Sequence, residues 1–348
     1  MRLLLTGGAG FIGSHIAVML LEKGYNVVIF DSFINSSVNV IKSIKTLLNN
    51  SKSQYKLHTI KGDIRDKNSL DKVFKDSIKE GNPIKVVVHL AGLKSVSESI
   101  VNPLNYWDVN VAGTKNLLET MMENQCNSIV FSSSATIYGL ADSIPISEDH
   151  KILPINPYGK TKAAIENMLD DLFKSNSKSW KICSLRYFNP VGAHPSGLIG
   201  EDPMGIPNNL FPYLYQVLIG RRKFLKVFGN DWDTKDGSGV RDYIHIMDLC
   251  EGHIDAIEYL IANTSCYEFI NLGSGKGYSV FQIINEFELL IGSSIPYSIT
   301  SRRIGDVSRC YADITKAKQL IGWFPKRSLK QMCSDGLNWQ RKNPNGYS

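Results

Sequence analysis

Short apolar or β-branched runs alternate with helix-length amphipathic stretches through the first half of the chain. The runs cover 3–6, 27–30, 57–60, 86–90, 129–132 and 182–186, and each predicts a strand. Continuous apolar character, as in Lys85-Val-Val-Val-His89, suits strands covered on both faces. This βαβ rhythm predicts an α/β fold, a doubly wound parallel sheet with helices on each side. Ligands of such sheets sit at the carboxyl ends of the strands.

Beyond Asn189 the texture changes to Pro, Gly and loop signals. Helices are expected over 210–219, near 280–290 and from 315 onward, short strands over 297–300 and 309–312, and an irregular segment over 229–239. One strand at 267–272, followed by Gly273 and Gly275, is expected to join the main sheet. Two domains result: 1–189, with a contribution from the strand near 240–275, and a smaller C-terminal α/β substrate domain over 190–348. The length of 348 residues fits two domains of ~150 residues. There is no internal repeat, and only the loops at 49–53 and 175–179 are rich in Ser, Asn and Lys.

Composition narrows the function classes. Hydrophobic residues at 43% and charged ones at 21% exclude a disordered, collagen-like or coiled-coil chain. The 39 basic and 33 acidic residues leave a net charge of +6 with no basic run, which favours a small anionic ligand, phosphate above all, over nucleic acid. The apolar stretch 1–21 is broken by Gly7, Gly8, Gly10, Gly13 and His15, so neither signal peptide nor membrane span is expected. Six scattered cysteines without a C-x-x-C pair suit a reducing cytoplasm and give no zinc spacing. No metal is expected elsewhere: the acidic loop 231–237 has Lys235 at a ligand place and Asp236 where calcium loops need Gly. His245 lacks a partner at metal spacing and reads as a packed or capping residue.

The first strand runs into Gly7-Gly8-Ala9-Gly10-Phe11-Ile12-Gly13 and then a helix, which makes the expected sheet a Rossmann-type one. Gly7 permits the tight turn, Gly10 removes a Cβ from the path of a pyrophosphate, and Gly13 allows close packing of helix on sheet. Asp31 ends the second strand, eighteen residues past Gly13. There a carboxylate either accepts from the adenosine ribose hydroxyls or serves as an ordinary turn residue. In the first role it would repel a 2′-phosphate, so NAD is favoured over NADP. Asp63 after the third strand and Ala91-Gly92 after the fourth have the same two readings.

A second constellation opens the helix before the sixth strand. Asn156 suits the N-cap and Pro157 the first helical position, which puts Tyr158 and Lys162 one turn apart on one face. Such a pair is either a surface contact or a proton-transfer couple. The second role needs the phenol acidified from about 10 to near 7, about 4 kcal/mol. A cation ~6 Å away contributes about 2.8 kcal/mol at an effective dielectric of 20, so Lys162 and an oxidised nicotinamide would together suffice. Ser132-Ser133-Ser134 closes the fifth strand, where Ser134 is a polar strand end or a hydroxyl that shares the reacting proton.

Gly7/Gly10/Gly13, Asp31, Ser132-Ser-Ser134 and Tyr158/Lys162 together resemble the extended short-chain dehydrogenase/reductase superfamily. Within it, several blocks resemble the UDP-glucose 4-epimerase family: Leu93-Lys-Ser-Val96, Ser134-Ala-Thr-Ile-Tyr-Gly139, Tyr187-Phe-Asn189, Pro207-Asn-Asn-Leu210, Val240-Arg-Asp-Tyr-Ile-His245 and Arg303-Ile-Gly-Asp306. The likeness spans nearly the whole chain.

The resemblance implies NAD contacts from Gly7, Gly10, Phe11, Ile12, Gly13, Asp31, Asn35, Ser36, Asp63, Ile64, Leu90, Ala91, Gly92, Lys94, Asn110, Ser132, Tyr158, Lys162 and Tyr187. It implies a UDP-sugar held by Lys94, Ser134, Tyr158, Asn189, Asn209, Leu210, Val227, Phe228, Arg241, Tyr243, Arg303, Asp306 and Cys310. Arg241 and Arg303 also suit a pyrophosphate on chemistry alone, a surface salt bridge being their other reading. The implied catalytic set is Tyr158, Lys162 and Ser134, and the implied reaction is interconversion of UDP-glucose and UDP-galactose through a 4-keto sugar. A homodimer through the helices near 104–122 and 158–173 is implied as well.

Narrow-specificity members carry Tyr where this chain has Cys310, so the N-acetylated UDP-sugars are expected to fit too. Two rival functions differ in residues. A nucleotide-sugar 4,6-dehydratase needs an Asp-Glu pair after Thr136, where Ile137-Tyr138 stands. A catalytically silent NAD-binding sensor should lack the Tyr/Lys pair.

Overall fold

The computed structural model describes residues 1–49, 56–303 and 305–347. Most of the 49–53 loop and Ile304 of the Arg-Ile-Gly-Asp block lie outside the described residues. The chain forms two compact units: residues 1–139, 152–186 and 250–270, and residues 140–151, 187–249 and 271–348. The segments interleave, with 140–151 in the second unit and 250–270 in the first.

The strands in chain order are β1 (Arg2–Thr6), β2 (Asn26–Asp31), β3 (Leu57–Lys61), β4 (Ile84–His89), β5 (Ser128–Ser134) and β6 (Lys181–Tyr187). Then come β7 (Asn189–Val191), β8 (Leu225–Phe228), β9 (Val240–His245), β10 (Cys266–Leu272), β11 (Gly277–Ser279), β12 (Tyr297–Thr300) and β13 (Arg309–Cys310). The helices are α1 (Phe11–Glu22), α2 (Val40–Leu48), α3 (Lys67–Lys79), α4 (Val96–Val101), α5 (Pro103–Tyr106) and α6 (Gly113–Glu123). After these follow α7 (Pro157–Ser175), α8 (Leu210–Leu218), α9 (Ile246–Ala262), α10 (Val280–Ile291), α11 (Thr315–Ile321) and α12 (Leu329–Lys342).

The main sheet has seven strands in the order β10-β6-β5-β4-β1-β2-β3, and the pairs from β3 through β5 are parallel. Leu3, Leu4 and Leu5 are all fully buried, as a central strand covered on both faces requires. Burial of each such side chain contributes about 1.5–3 kcal/mol. The edge strand β3 leaves His58, Thr59 and Lys61 exposed. The strand order reverses between β1 and β4, and the turns that follow those two strands flank this switch point.

The helix expected over 104–122 is present as α5, a π-helical turn over Trp107–Ala112, and α6. The π turn carries Asn110, a common placement for residues of functional sites.

In the second unit β9 pairs parallel with β7 and β13 and antiparallel with β11, while β8 pairs parallel with β12. Its core gathers Phe211, Leu214, Tyr215, Ile283, Phe287, Met332 and Leu337. The strand expected over 309–312 stops at Cys310 because the Ala312 amide leaves the ladder and donates to the Asp242 carboxylate at 3.0 Å.

Candidate active site

The glycine-rich turn connects β1 to α1. Gly7 has φ +71°, and a Cβ there would stand 2.6 Å from the Ala91 amide nitrogen, so the turn after β1 and the strand end after β4 touch backbone to backbone. A Cβ on Gly13 would lie 2.6 Å from the Gly7 carbonyl oxygen, so this glycine lets α1 pack closely on the turn that leaves β1. At Gly10 the nearest atom to such a Cβ is 3.3 Å away, leaving that side of the turn open. Gly10 is the N-cap of α1 and supplies no side-chain acceptor, so the helix start presents its amides and positive dipole end to an anion.

Asp31 is buried at the end of β2. Its Oδ2 accepts from the Ala9 amide at 2.9 Å, and its Oδ1 accepts from the Phe33 amide and the Ser36 hydroxyl, both at 2.9 Å. The carboxylate is thus fixed beside the glycine turn with acceptor capacity left on Oδ2. Open turn, uncapped helix and anchored carboxylate together fit a dinucleotide. Asn35 and Lys94 are exposed, whereas the Ile64 side chain is buried in the core. Asp63 is gripped by Arg65, whose Nη2 donates at 2.7 Å and whose Nη1 also reaches Asp108 at 2.8 Å. The Arg65 guanidinium holds the Asp63 carboxyl below its usual range. Past β4, Asn110 accepts from the Leu93 amide at 2.7 Å and donates to the Leu93 carbonyl at 3.1 Å, securing the chain after Gly92.

Ser134, Tyr158 and Lys162, the residues expected to move a proton, lie close together. The Asn156 side chain accepts from the Gly159 amide at 2.8 Å and Pro157 opens α7, placing Tyr158 in its first turn. Ser134 hydrogen-bonds the Tyr158 phenol, and Thr136 donates to the Ser134 hydroxyl through its own hydroxyl at 3.0 Å. Lys162 Nζ donates to the Ser132 carbonyl at 2.6 Å and lies 4.9 Å from the Phe131 ring centroid and 5.8 Å from that of Tyr158. Burial pushes the Lys162 ammonium down to about 8, with the Glu166 carboxylate acting against that fall.

The phenol is expected to be acidified by Lys162 and an oxidised nicotinamide together, against the cost of burial. Burial pushes Tyr158 above its ordinary value, with the Ser134 hydrogen bond acting the other way. Burial thus outweighs the hydrogen bond, and Lys162 alone leaves the phenol above its ordinary value. Thr136, the donor behind Ser134, is a residue that sequence reasoning missed, although its block was in view.

The second unit carries the other expected set. Arg303 Nε donates to Asp306 at 2.9 Å, its Nη1 donates to the Asn208 carbonyl at 3.2 Å, and its guanidinium lies 4.8 Å from the Phe228 ring centroid. Arg241 approaches Asp306 at 3.8 Å. Asn209 is the N-cap residue of α8 and makes no side-chain capping bond, and Leu210 begins that helix. Tyr187, Val227 and Tyr243 are buried, and Asn189 pairs with Tyr243 across β7 and β9. Cys310 stands opposite Arg241 in the β13–β9 register. Burial pushes its thiol up to about 11.

Beneath Arg241, Asp242 accepts from the amides of Ser274, Gly275 and Ala312 at 2.6–3.0 Å, an anchor that the sequence pattern did not reveal. His245 is a capping residue, its Nδ1 accepting from the Met247 amide at 3.0 Å and its Nε2 facing Asp335 at 3.2 Å.

The family profile described as GDP-mannose 4,6 dehydratase matches residues 4–336. The UDP-glucose 4-epimerase of Bacillus subtilis (strain 168) is 47% identical over 347 residues, 100% of this chain and 99% of that protein. The chain belongs to the UDP-glucose 4-epimerase family. Among solved structures of that family, the UDP-glucose 4-epimerase from Bifidobacterium longum in complex with NAD+ and UDP is 44% identical with a TM-score of 0.93, covering 99% of this chain and 100% of that one. The one from Stenotrophomonas maltophila with bound NAD and formylated UDP-arabinopyranose is 41% identical, also with a TM-score of 0.93, and covers 99% of each chain. The residues after Thr136 agree with the epimerase family against the dehydratase profile: Ile137 is fully buried and the Tyr138 hydroxyl accepts from Arg186 at 3.0 Å, so neither is an acid/base pair.

Proposed function

We infer that the protein is an NAD-dependent epimerase acting at C4 of UDP-sugars, interconverting UDP-glucose and UDP-galactose. The observation that carries this reading is the hydrogen-bonded set Thr136, Ser134 and Tyr158, with Lys162 one turn along α7. NAD, when bound, accepts the C4 hydride and returns it. Gly7, Gly10, Phe11, Ile12 and Gly13 hold its pyrophosphate at the start of α1, and Asp31 holds a ribose. Tyr158 takes the proton of the sugar 4-hydroxyl, Ser134 holds that oxygen, and Lys162 stabilises the phenolate. Loss of one hydride and one proton leaves a 4-keto sugar. The same two return with the hydride on the opposite face, so no net oxidation occurs.

Arg241 and Arg303 bind the diphosphate, with Asp306 orienting both guanidinium groups. The exposed apolar side chains of Ile100, Val101, Leu104 and Trp107 on α4, α5 and the π turn support a homodimer through this helical face and α7. The described residues contain no helix long and apolar enough to cross a membrane, and all six cysteines are free, which supports a reducing cytoplasm. Purified protein is expected to sediment as a dimer, to carry bound dinucleotide, and to convert UDP-galactose to UDP-glucose without added NAD. Conversion that depends on added NAD with a stoichiometric rise in NADH would identify a dehydrogenase instead. A monomer would overturn the dimer, and recovery in a membrane or secreted fraction would overturn the location.

Cys310 sets the breadth of the sugar pocket. It lies beside Arg241, and its small side chain leaves room for an N-acetyl group. Cys310→Tyr is expected to lose turnover of UDP-N-acetylgalactosamine by about a hundredfold, a bulk effect of ~3 kcal/mol, while UDP-galactose turnover stays within about twofold. No product from UDP-N-acetylgalactosamine with the unaltered protein would sink this reading.

A further inference from the structure

Behind the proton-transfer residues lies a buried ion pair that the chemistry above does not use. Glu166 and Arg186 are 2% and 1% exposed. Arg186 donates through Nη2 to Oε2 at 2.8 Å and through Nε to Oε1 at 3.1 Å. Its Nη1 reaches the Tyr138 hydroxyl at 3.0 Å, and its plane faces the Phe269 ring at 4.4 Å. A buried pair of this kind is weak evidence for stability, since apolar residues of similar volume often serve as well or better.

Its connections suggest a different role. Tyr158, Lys162 and Glu166 follow one another at four-residue spacing along a single face of α7. They engage three successive residues of β5: Tyr158 bonds the Ser134 hydroxyl, Lys162 the Ser132 carbonyl at 2.6 Å, and Glu166 the Ser133 hydroxyl at 2.6 Å. Arg186 fixes the carboxylate in this row from β6. The Tyr267 hydroxyl adds a bond to the Glu166 carbonyl at 2.9 Å.

We propose that Glu166, held by Arg186, is a positioning residue of the epimerisation site: it secures the end of β5 through Ser133 and keeps Lys162 protonated from one helical turn away. This rests on the reading of Tyr158 and Lys162 as the proton-transfer pair. The groups around Lys162 are consistent with the electrostatic half. His89 on β4 is neutral, pushed down to about 3 by burial and by Lys162. Tyr158 is a phenol, and so are Tyr138 after β5 and Tyr267 on β10. Arg186 is paired. Glu166 is the one carboxylate among these groups, and it raises Lys162 against the burial that lowers it.

The test is the pH profile of kcat for UDP-galactose in the NAD-loaded enzyme. Glu166→Gln, which keeps an acceptor for Ser133, is expected to move the alkaline limb down by about one pH unit, a tenfold change in protonated Lys162 at a given pH. Glu166→Asp should return the limb to its original position. A uniform loss of kcat with unmoved limbs would overturn the electrostatic role. Should Glu166→Gln not yield folded enzyme, the limb in Glu166→Asp and the rate in Ser133→Ala decide. Ser133→Ala is expected to lower kcat roughly tenfold at unchanged KM. Parental kcat in Ser133→Ala, or a shifted limb in Glu166→Asp, would reject the proposal. Lys162→Met, assayed alongside, separates the two readings: full activity there would show that the proton-transfer assignment, and not this inference alone, has failed.

Discussion

Tyr158→Phe is expected to bind NAD and UDP-galactose as the parent does and to lose about three orders of magnitude in kcat, the middle of the range for a positioned acid/base. The aromatic ring, its contact with Lys162 and the fold of α7 all survive the change, because only the hydroxyl is removed. What goes is the oxygen that Ser134 hydrogen-bonds, and among the described residues no second titratable group is tied to that hydroxyl in its place. Binding measured by calorimetry should change less than threefold while turnover collapses. Turnover retained in full would remove Tyr158 from its role.

The parental pH profile follows from the same residues. Lys162 acts as a cation, and burial has lowered its value from 10.5 to about 8, so the favourable charge is complete at lower pH and is lost as pH rises through about 8. The stability consequence has the opposite sign to a salt-bridged lysine. Burying the charged form costs stability at neutral pH, and the cost disappears between about 8 and 10.5 as the folded protein releases its proton before the unfolded chain does.

How far the chain could be read in advance depends on the range of the interactions involved. β1, β2 and β4 were visible because buried parallel strands write apolar runs into short windows, and β3 because its β-branched residues fall in a short run after a helix-length stretch. The start of α7 was visible because a cap and a first-turn proline act over three or four residues. The place of 140–151 in the second unit was not, since local periodicity carries no information on which core a segment joins, whereas a contribution to the first unit from near 240–275 was expected.

Within the site, Arg241 and Cys310 were each picked out separately. That they face one another follows from the β13–β9 register, which no local pattern encodes. Likewise the two-cation argument for Tyr158 allowed for a desolvation loss, yet how far burial raises the phenol is set by packing that the argument could not see. Desolvation depends on everything packed around a group, so spacing along a helix does not supply it. Asp242 shows the same limit, since its donors come from 274, 275 and 312.

Gly13→Ala and Gly10→Ala should separate folding from cofactor binding. At Gly13 a methyl group would meet the Gly7 carbonyl oxygen at 2.6 Å and the Gly8 Cα at 2.6 Å. Both are backbone atoms of a turn that is itself pressed against Ala91, so neither has room to retreat. Overpacking of this kind costs about 3 kcal/mol or somewhat more, equivalent to a fall in Tm of roughly 6–12 °C for a melting unit of about 200 residues, the size of the first one. At Gly10 the nearest atom stands at 3.3 Å, a contact that a shift of a few tenths of an ångström relieves. Gly10→Ala should therefore melt within about 3 °C of the parent when both are stripped of dinucleotide, yet purify with little NAD, because its methyl group projects into the open side of the turn. Thermal melts of the stripped proteins together with dinucleotide content after purification check both halves. Equal melting losses would mean that the two glycines serve packing alone, and undiminished NAD in Gly10→Ala would move the pyrophosphate away from the start of α1.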